Sequence, residues 1–104
     1  MQRLFYPLAI SALALAANAQ DEPAQLAAAA GCGACHQAEE PGLGPSWQAI
    51  AERYQDQEGA AVDLQDKMRA VSRGNWGEAP MPPVTPSQLT DDQLSVVIDW
   101  ILSR

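Results

Sequence analysis

The chain has 104 residues, of which 13 are acidic and 6 are basic, so its formal net charge at pH 7 is −7. This excess of acidic side chains argues against a nucleic-acid partner, because phosphate backbones are bound by basic surfaces. The length allows one small domain, and such a domain buries only about 60 to 65 % of the surface of its unfolded chain.

The first 19 residues have the pattern of an export signal. Arg3 precedes an apolar run that begins at Leu4 and ends in Ala17-Asn18-Ala19, a small-x-small cleavage pattern. An uncleaved membrane anchor is the alternative, but this run is shorter than the roughly 20 residues that span a bilayer. We therefore expect cleavage after Ala19 and export to the periplasm.

The domain that remains, residues 20–104, has five basic and thirteen acidic side chains. An exported domain of this size usually needs a disulfide, a metal or a large buried cofactor to be stable. Its first predicted helix has Asp21 as N-cap and Pro23 in the first turn, continues through residues 24–30 and ends at Gly31.

Two more helices are predicted from apolar residues spaced three and four positions apart, from Ser46 to Gln55 and, after a break at Gly59, from Ala60 to Ser72. Their apolar faces consist of Trp47, Ile50 and Tyr54 in the first and of Leu64, Met68 and Val71 in the second.

From Arg73 to Gln88, glycines and four prolines interrupt the helical pattern, so we expect a long loop without secondary structure, a kind that usually has a function. Thr90 and Gln93 then form a predicted capping box. Apolar residues follow at helical spacing: Leu94, Val97, Ile98 and Ile101. No segment alternates with period two, so the predicted fold class is all-α, with about four helices.

The string GCGACHQ, residues 31–37, contains both cysteines and the only histidine of the chain. A thioredoxin-like dithiol would lie next to a strand of a βαβ unit, and the sequence shows no strand pattern. A structural zinc site takes four ligands, so a carboxylate would have to join Cys32, Cys35 and His36. Covalent haem attachment needs two thiols separated by two residues and followed by an imidazole, in this order. We therefore predict one covalently bound haem c, with His36 as a ligand of its iron.

The second axial ligand must be a side chain other than histidine, and methionine is the candidate. Met1 would leave with the export signal. Met68 lies on the apolar face of a predicted helix, where a methionine usually packs in the core. Met81 lies in the loop within PMPP, where the prolines restrict the backbone and can hold a thioether in place. Met81 is therefore the predicted ligand.

Four strings together resemble a known family: GCGACH, GLGPSW, GNWGEAPMPP and the final VIDWILSR. They are similar to those of small bacterial class I cytochromes c of the cytochrome c-551/c-552 type, over essentially all of residues 20–104. The resemblance implies the class I cytochrome c fold around one haem. It also implies that Cys32 and Cys35 carry the thioether bonds, and that His36 and Met81 are the axial ligands.

The resemblance implies roles for three further residues. The Pro45 carbonyl accepts a hydrogen bond from His36 Nδ1, the Trp76 indole N–H donates to a haem propionate, and Lys67 lies near a propionate. Relatives commonly have an asparagine after PMPP that hydrogen-bonds the methionine sulfur. Val84 follows PMPP here and cannot make that bond.

Filled axial positions leave no open site on the iron, so the predicted function is one-electron transfer between redox partner proteins, without catalytic residues. We expect a monomer that is not inserted in the membrane after cleavage. One alternative is an electron-entry subunit of a larger respiratory complex. Another is a haem enzyme or gas sensor in which Met81 dissociates.

Four of the five basic residues outside the export signal lie close together in the sequence: Arg53, Lys67, Arg69 and Arg73. They form either a solvated helix face or a positive rim beside the haem edge. Such a rim would orient the otherwise acidic molecule as it meets a partner.

Overall fold

The computed structural model describes residues 2–5 and 22–104. It contains four α-helices and a short 3₁₀ turn: α1 (Pro23–Ala29), the 3₁₀ turn (Cys32–Ala34), α2 (Trp47–Tyr54), α3 (Ala60–Arg69) and α4 (Asp91–Leu102). The described residues form no β-strand, which confirms the all-α prediction. Most of the predicted export signal and its cleavage site lie outside the described residues.

The first helix begins one residue later than expected. Its N-cap is Glu22, whereas the sequence suggested Asp21, which lies outside the described residues. The N-cap is the last residue with extended backbone, and Pro23 already has the φ that a first helical turn requires. Gly31 follows the helix with a φ of 84°, which lets the chain turn directly into the 3₁₀ turn.

The second and third helices differ in how their ends are fixed. The Ser46 side chain caps α2 by accepting a hydrogen bond from the Ala49 N–H at 3.0 Å. The third helix ends at Arg69, earlier than the predicted Ser72, because Ala70 is extended and Ser72 pairs with Met81. Val71 is consequently 59 % exposed, so its predicted place on the apolar face was wrong.

The fourth helix has the predicted capping box. Thr90 Oγ1 accepts from the Gln93 N–H at 3.2 Å, and Gln93 Oε1 accepts from the Thr90 N–H at 2.9 Å. This helix packs against the other three α-helices. It supplies four side chains that are at most 3 % exposed: Leu94, Val97, Ile98 and Ile101. No helix in the described ranges is long and apolar enough to cross a membrane.

The loop from Arg73 to Gln88 is irregular, as predicted, apart from the single bridge between Ser72 and Met81. Val84, within the loop, and Leu89, directly after it, have side chains that are buried in the core. The loop is therefore attached to the helices at its C-terminal half, while its N-terminal half borders a cavity.

Candidate functional site

One apolar cavity of about 340 Å³ lies between the 3₁₀ turn, α2, α3, α4 and the loop. Its walls include core side chains from three helices, among them Ile50, Leu64 and Val97. Every site residue that the sequence suggested borders this cavity: Cys32, Cys35, His36, Pro45, Lys67, Trp76 and Met81. Segments separated by up to about half of the chain therefore meet around a single space.

The 3₁₀ turn places the two cysteines and the histidine on the cavity. The Cys32 carbonyl accepts from the N–H of Cys35 at 3.2 Å and of His36 at 3.0 Å, so the backbone winds tightly through the motif. Both cysteine side chains are partly buried, and they are not joined to each other by a disulfide. Burial raises the pKa of the Cys32 thiol above its ordinary value. The described residues contain no group of His, Cys, Asp and Glu side chains able to hold a metal ion, as the zinc alternative would require.

The imidazole of His36 is held in one orientation. Its Nδ1 donates a hydrogen bond to the Pro45 carbonyl at 2.7 Å. The ring stacks on Trp47, with centroids 4.7 Å apart and an interplanar angle of 23°. Since Nδ1 carries the proton, the lone pair lies on Nε2, the nitrogen that remains available to a metal.

Gly44 allows this orientation because it has no side chain. A Cβ at this position would lie 2.7 Å from Cε1 and 3.0 Å from Nδ1 of His36. The backbone around it is tied to the motif, since the Gly44 N–H donates to the Cys35 carbonyl at 2.9 Å and the Trp47 N–H donates to the Gln37 carbonyl at 2.8 Å. The sequence drew attention to GLGPSW only through the family resemblance, since nothing local in the string indicates contact with the histidine.

Met81 is fixed by backbone hydrogen bonds to Ser72, which lies shortly after the end of α3. Its N–H donates to the Ser72 carbonyl at 2.8 Å, and its carbonyl accepts from the Ser72 N–H at 3.1 Å. Met68 packs against the core, as expected from the sequence, and it also borders the same cavity. Two thioethers thus share the cavity.

Trp76 is 42 % exposed and is covered by a cation. The Arg53 guanidinium lies 4.5 Å from the Trp76 ring centroid and also donates to the Asn75 carbonyl. Tyr54, which is buried, contacts the Trp76 ring edge-on at 6.3 Å. The sequence did not indicate the contacts of Arg53 and Tyr54 with Trp76, because these residues are more than 20 positions apart in the chain.

Lys67 also borders the cavity and contacts Tyr54. Its Nζ lies 5.2 Å from the Tyr54 ring centroid and 2.9 Å from Asp63 Oδ2. The hydrogen bond to Asp63 raises the pKa of Lys67 above its ordinary value, so the ammonium form persists at any physiological pH.

The proposed positive rim is reduced in the structure. Lys67 pairs with Asp63, and Arg69 Nη2 lies 2.7 Å from Asp91 Oδ1. Of the four basic residues near the cavity, these two have a carboxylate partner. Arg53 and Arg73 have none among the described residues.

The donor set and the shape of the cavity fit a haem. Two thiols and an imidazole come from one turn, a thioether comes from the loop, and the walls between them are largely apolar. An all-helical domain built around such a cavity defines the class of small proteins with a covalently attached haem.

Comparison with known proteins identifies the family within this class. A family model described as Cytochrome c matches residues 21–104. The chain is 48 % identical over 80 residues to cytochrome c2 of Rubrivivax gelatinosus, covering 77 % of this chain and 94 % of that protein. It is 41 % identical over 95 residues to cytochrome c-552 of Nitrosomonas europaea, covering 91 % and 89 %.

Its fold is similar to the crystal structure of wild-type Nitrosomonas europaea cytochrome c552, with a TM-score of 0.70 and 40 % identity over 77 % of this chain and 96 % of that one. The chain belongs to the cytochrome c family, as a small class I member of the cytochrome c-551/c-552 type. It therefore has the class I cytochrome c fold and is an electron carrier with one covalently bound haem c.

Proposed function

We propose that this protein is a periplasmic one-electron carrier whose haem iron is bound by His36 and Met81. The proposal rests on one observation. The His36 imidazole, which is held in one orientation, borders the same apolar cavity as Met81, which is held by its bridge to Ser72. The haem, when bound, supplies reversible one-electron exchange at its iron. Cys32 and Cys35 would attach it through thioether bonds.

The protein's own residues would restrict the site to electron transfer. His36 and Met81 would both bind the haem iron and would leave it no open position for a substrate, so we propose neither catalytic residues nor an enzymatic activity. The apolar wall excludes water, and together with thioether ligation this raises the reduction potential relative to a bis-histidine site. By accepting a hydrogen bond from the Nδ1–H of His36, the Pro45 carbonyl favours the tautomer whose lone pair lies on Nε2.

Trp76 and Lys67 would lie at the polar edge of the haem. The Trp76 indole N–H would donate to a propionate, and the Lys67 ammonium would offset part of its charge. The Arg53 guanidinium lies over the Trp76 ring, a contact that restricts the ring and supports this arrangement.

Location and partners follow from the sequence features. We propose that residues 1–19 direct export and are removed after Ala19, and that residues 20–104 act as a monomer that exchanges electrons with other redox proteins. The acidic composition supports the exclusion of nucleic acid.

Substitution of the two methionines tests the ligand assignment. The ferric protein should show the weak long-wavelength sulfur-to-iron charge-transfer band of a His/Met haem. We expect Met81→Ala to lose this band, to bind imidazole and to have a lower reduction potential, because the thioether is gone.

Met68→Ala is the matched control, since it removes the other thioether of the same cavity. It should keep the band. A band that persists in Met81→Ala, or that disappears in Met68→Ala alone, would contradict the proposed ligand. A ferrous wild-type protein that readily binds carbon monoxide would favour a sensor or enzyme instead of a carrier.

A further inference from the structure

The Met81 segment, residues 81–84, runs along the end of α3 and the residues that follow it. Met81 pairs with Ser72 through two backbone hydrogen bonds, and the Val84 N–H donates to the Met68 carbonyl at 2.7 Å. Pro82 and Pro83, between these points, have no N–H to donate. The segment is therefore attached by its backbone donors only at its two ends.

Arg69 adds a second attachment at the Val84 end. Its Nη1 donates to the Val84 carbonyl at 3.0 Å, and its Nη2 donates to Asp91 Oδ1 at 2.7 Å. The Arg69 side chain is only 20 % exposed, whereas that of Asp91 is 79 % exposed, so water competes mainly at the carboxylate and less at the bond to Val84. One planar guanidinium thus joins α3, the Met81 segment and the first residue of α4.

The hydrogen bond from Arg69 to Val84 is made rigid by the second bond of Arg69, to Asp91 in α4. The fourth helix is capped at Thr90 and contributes the most completely buried side chains of the core. Asp91 lies in its first turn, where a carboxylate is favoured by the helix dipole. The carbonyl of Val84 is therefore held to a fixed part of the molecule, not to another loop.

We propose that Arg69 is a positioning residue for the axial thioether: by joining Val84 to Asp91 it keeps the Met81 segment closed against α3 and slows the release of Met81 from the iron. This inference rests on the proposed function, in which Met81 is the ligand. Release of the thioether requires the segment to move away from the cavity, and the bond from Arg69 to the Val84 carbonyl must break if the Val84 end of the segment moves. Lysine cannot replace both bonds, because an ammonium lacks the planar fork that reaches two acceptors.

The test is the rate at which imidazole displaces Met81 in the ferric holoprotein. We expect Arg69→Ala to increase the limiting rate by about tenfold or more, the scale of a lost charge-assisted hydrogen bond. Arg69→Lys should give an intermediate rate, and so should Asp91→Asn, which leaves the bond to Val84. The N–H groups of Met81 and Val84 should exchange hydrogen faster in Arg69→Ala, an effect that can be measured without adding any haem ligand.

Two controls separate positioning from general destabilisation. Arg104→Ala removes an exposed arginine that does not border the haem cavity and makes no side-chain hydrogen bond among the described residues, and it should leave both rates unchanged. Ile98→Val lowers the stability of the α4 core without touching the segment. If Arg69→Ala accelerates imidazole binding no more than Ile98→Val at equal loss of stability, Arg69 has no positioning role.

Failure of the positioning role can be told apart from failure of the ligand assignment. A charge-transfer band that survives Met81→Ala overturns the proposed function, whatever the behaviour of Arg69. A band that is lost in Met81→Ala, with wild-type imidazole kinetics in Arg69→Ala, overturns the positioning role alone.

Discussion

At the scale of single residues, the reactive groups could be predicted from the sequence and their surroundings could not. The spacing of Cys32, Cys35 and His36 indicates haem attachment whatever the fold around it. A methionine between prolines likewise indicates a candidate ligand without knowledge of the fold. The approach of Gly44 to the His36 ring is different, because it depends on how the chain returns after the motif. Arg53 over Trp76 is equally a product of tertiary structure.

Gly44→Ala should displace the His36 ring. The new Cβ would lie 2.7 Å from the ring, while Pro45 and Trp47 hold that ring from two other directions. We expect a loss of about 1 to 3 kcal/mol in the free energy of unfolding, as for other overpacked sites. Denaturant unfolding measures the loss, and the NMR shifts of the His36 ring should change with it.

Gly33→Ala provides the comparison. Gly33 lies between the two cysteines, and a Cβ there would meet no atom within 4 Å. We expect an effect between zero and a gain of about 1 kcal/mol, from the lower entropy of the unfolded chain. Equal losses in the two variants would mean that contact with His36 is not the reason for a glycine at position 44.

At the scale of elements, helix boundaries set by nearby residues could be predicted from the sequence. A boundary set by pairing with a distant residue could not. The capping box at Thr90 and the apolar spacing of α4 involve residues within two turns of each other, so the sequence contains all the information needed. The end of α3 depends instead on Met81, which draws Ser72 into a bridge from nine positions away. The apolar residues keep helical spacing up to Val71, and this pattern gave no indication that Ser72 would pair with Met81 instead of continuing the helix.

Thr90→Ala should destabilise the protein through the start of α4. It removes the oxygen that accepts from the Gln93 N–H, and we expect a loss of about 1 kcal/mol in the free energy of unfolding. Ser95→Ala, at an exposed position within the same helix, should have little effect or a slightly stabilising one. Denaturant titration of both variants distinguishes the lost cap from a general effect of removing hydroxyl groups, which would lower both midpoints alike.

At the scale of the whole molecule, the sequence predicted one cofactor-centred domain because residues 20–104 are too few for a large core of their own. The structure agrees, since core side chains such as Ile50, Leu64 and Val97 form walls of the cavity. The basic residues near the cavity are less available to a partner than the sequence indicated. Lys67 and Arg69 have carboxylate partners, so Arg53 and Arg73 are the nearby basic residues that remain for long-range attraction, and Arg73 borders the cavity itself.

Arg73→Glu should therefore slow oxidation of the reduced protein by ferricyanide, an anion, at low ionic strength. Arg104→Glu changes the net charge equally at a residue that does not border the haem cavity, and it should slow the reaction less. Stopped-flow rates should converge as salt is added, because the Debye length falls from about 30 Å at 0.01 M to about 3 Å at 1 M. Equal rates for the two variants at low salt would mean that electrons do not leave the protein near Arg73.

The single bridge between Ser72 and Met81 has a consequence for association between molecules. A two-stranded pairing at a surface normally offers free N–H groups, which can recruit a strand from another chain and begin aggregation. Pro80, Pro82 and Pro83 remove the donors on both sides of Met81, and the N–H of Met81 itself is used by Ser72. The bridge therefore cannot lengthen into a β-ladder on the Met81 side. The loop can stay exposed beside the haem without offering an edge that pairs with a strand of another molecule.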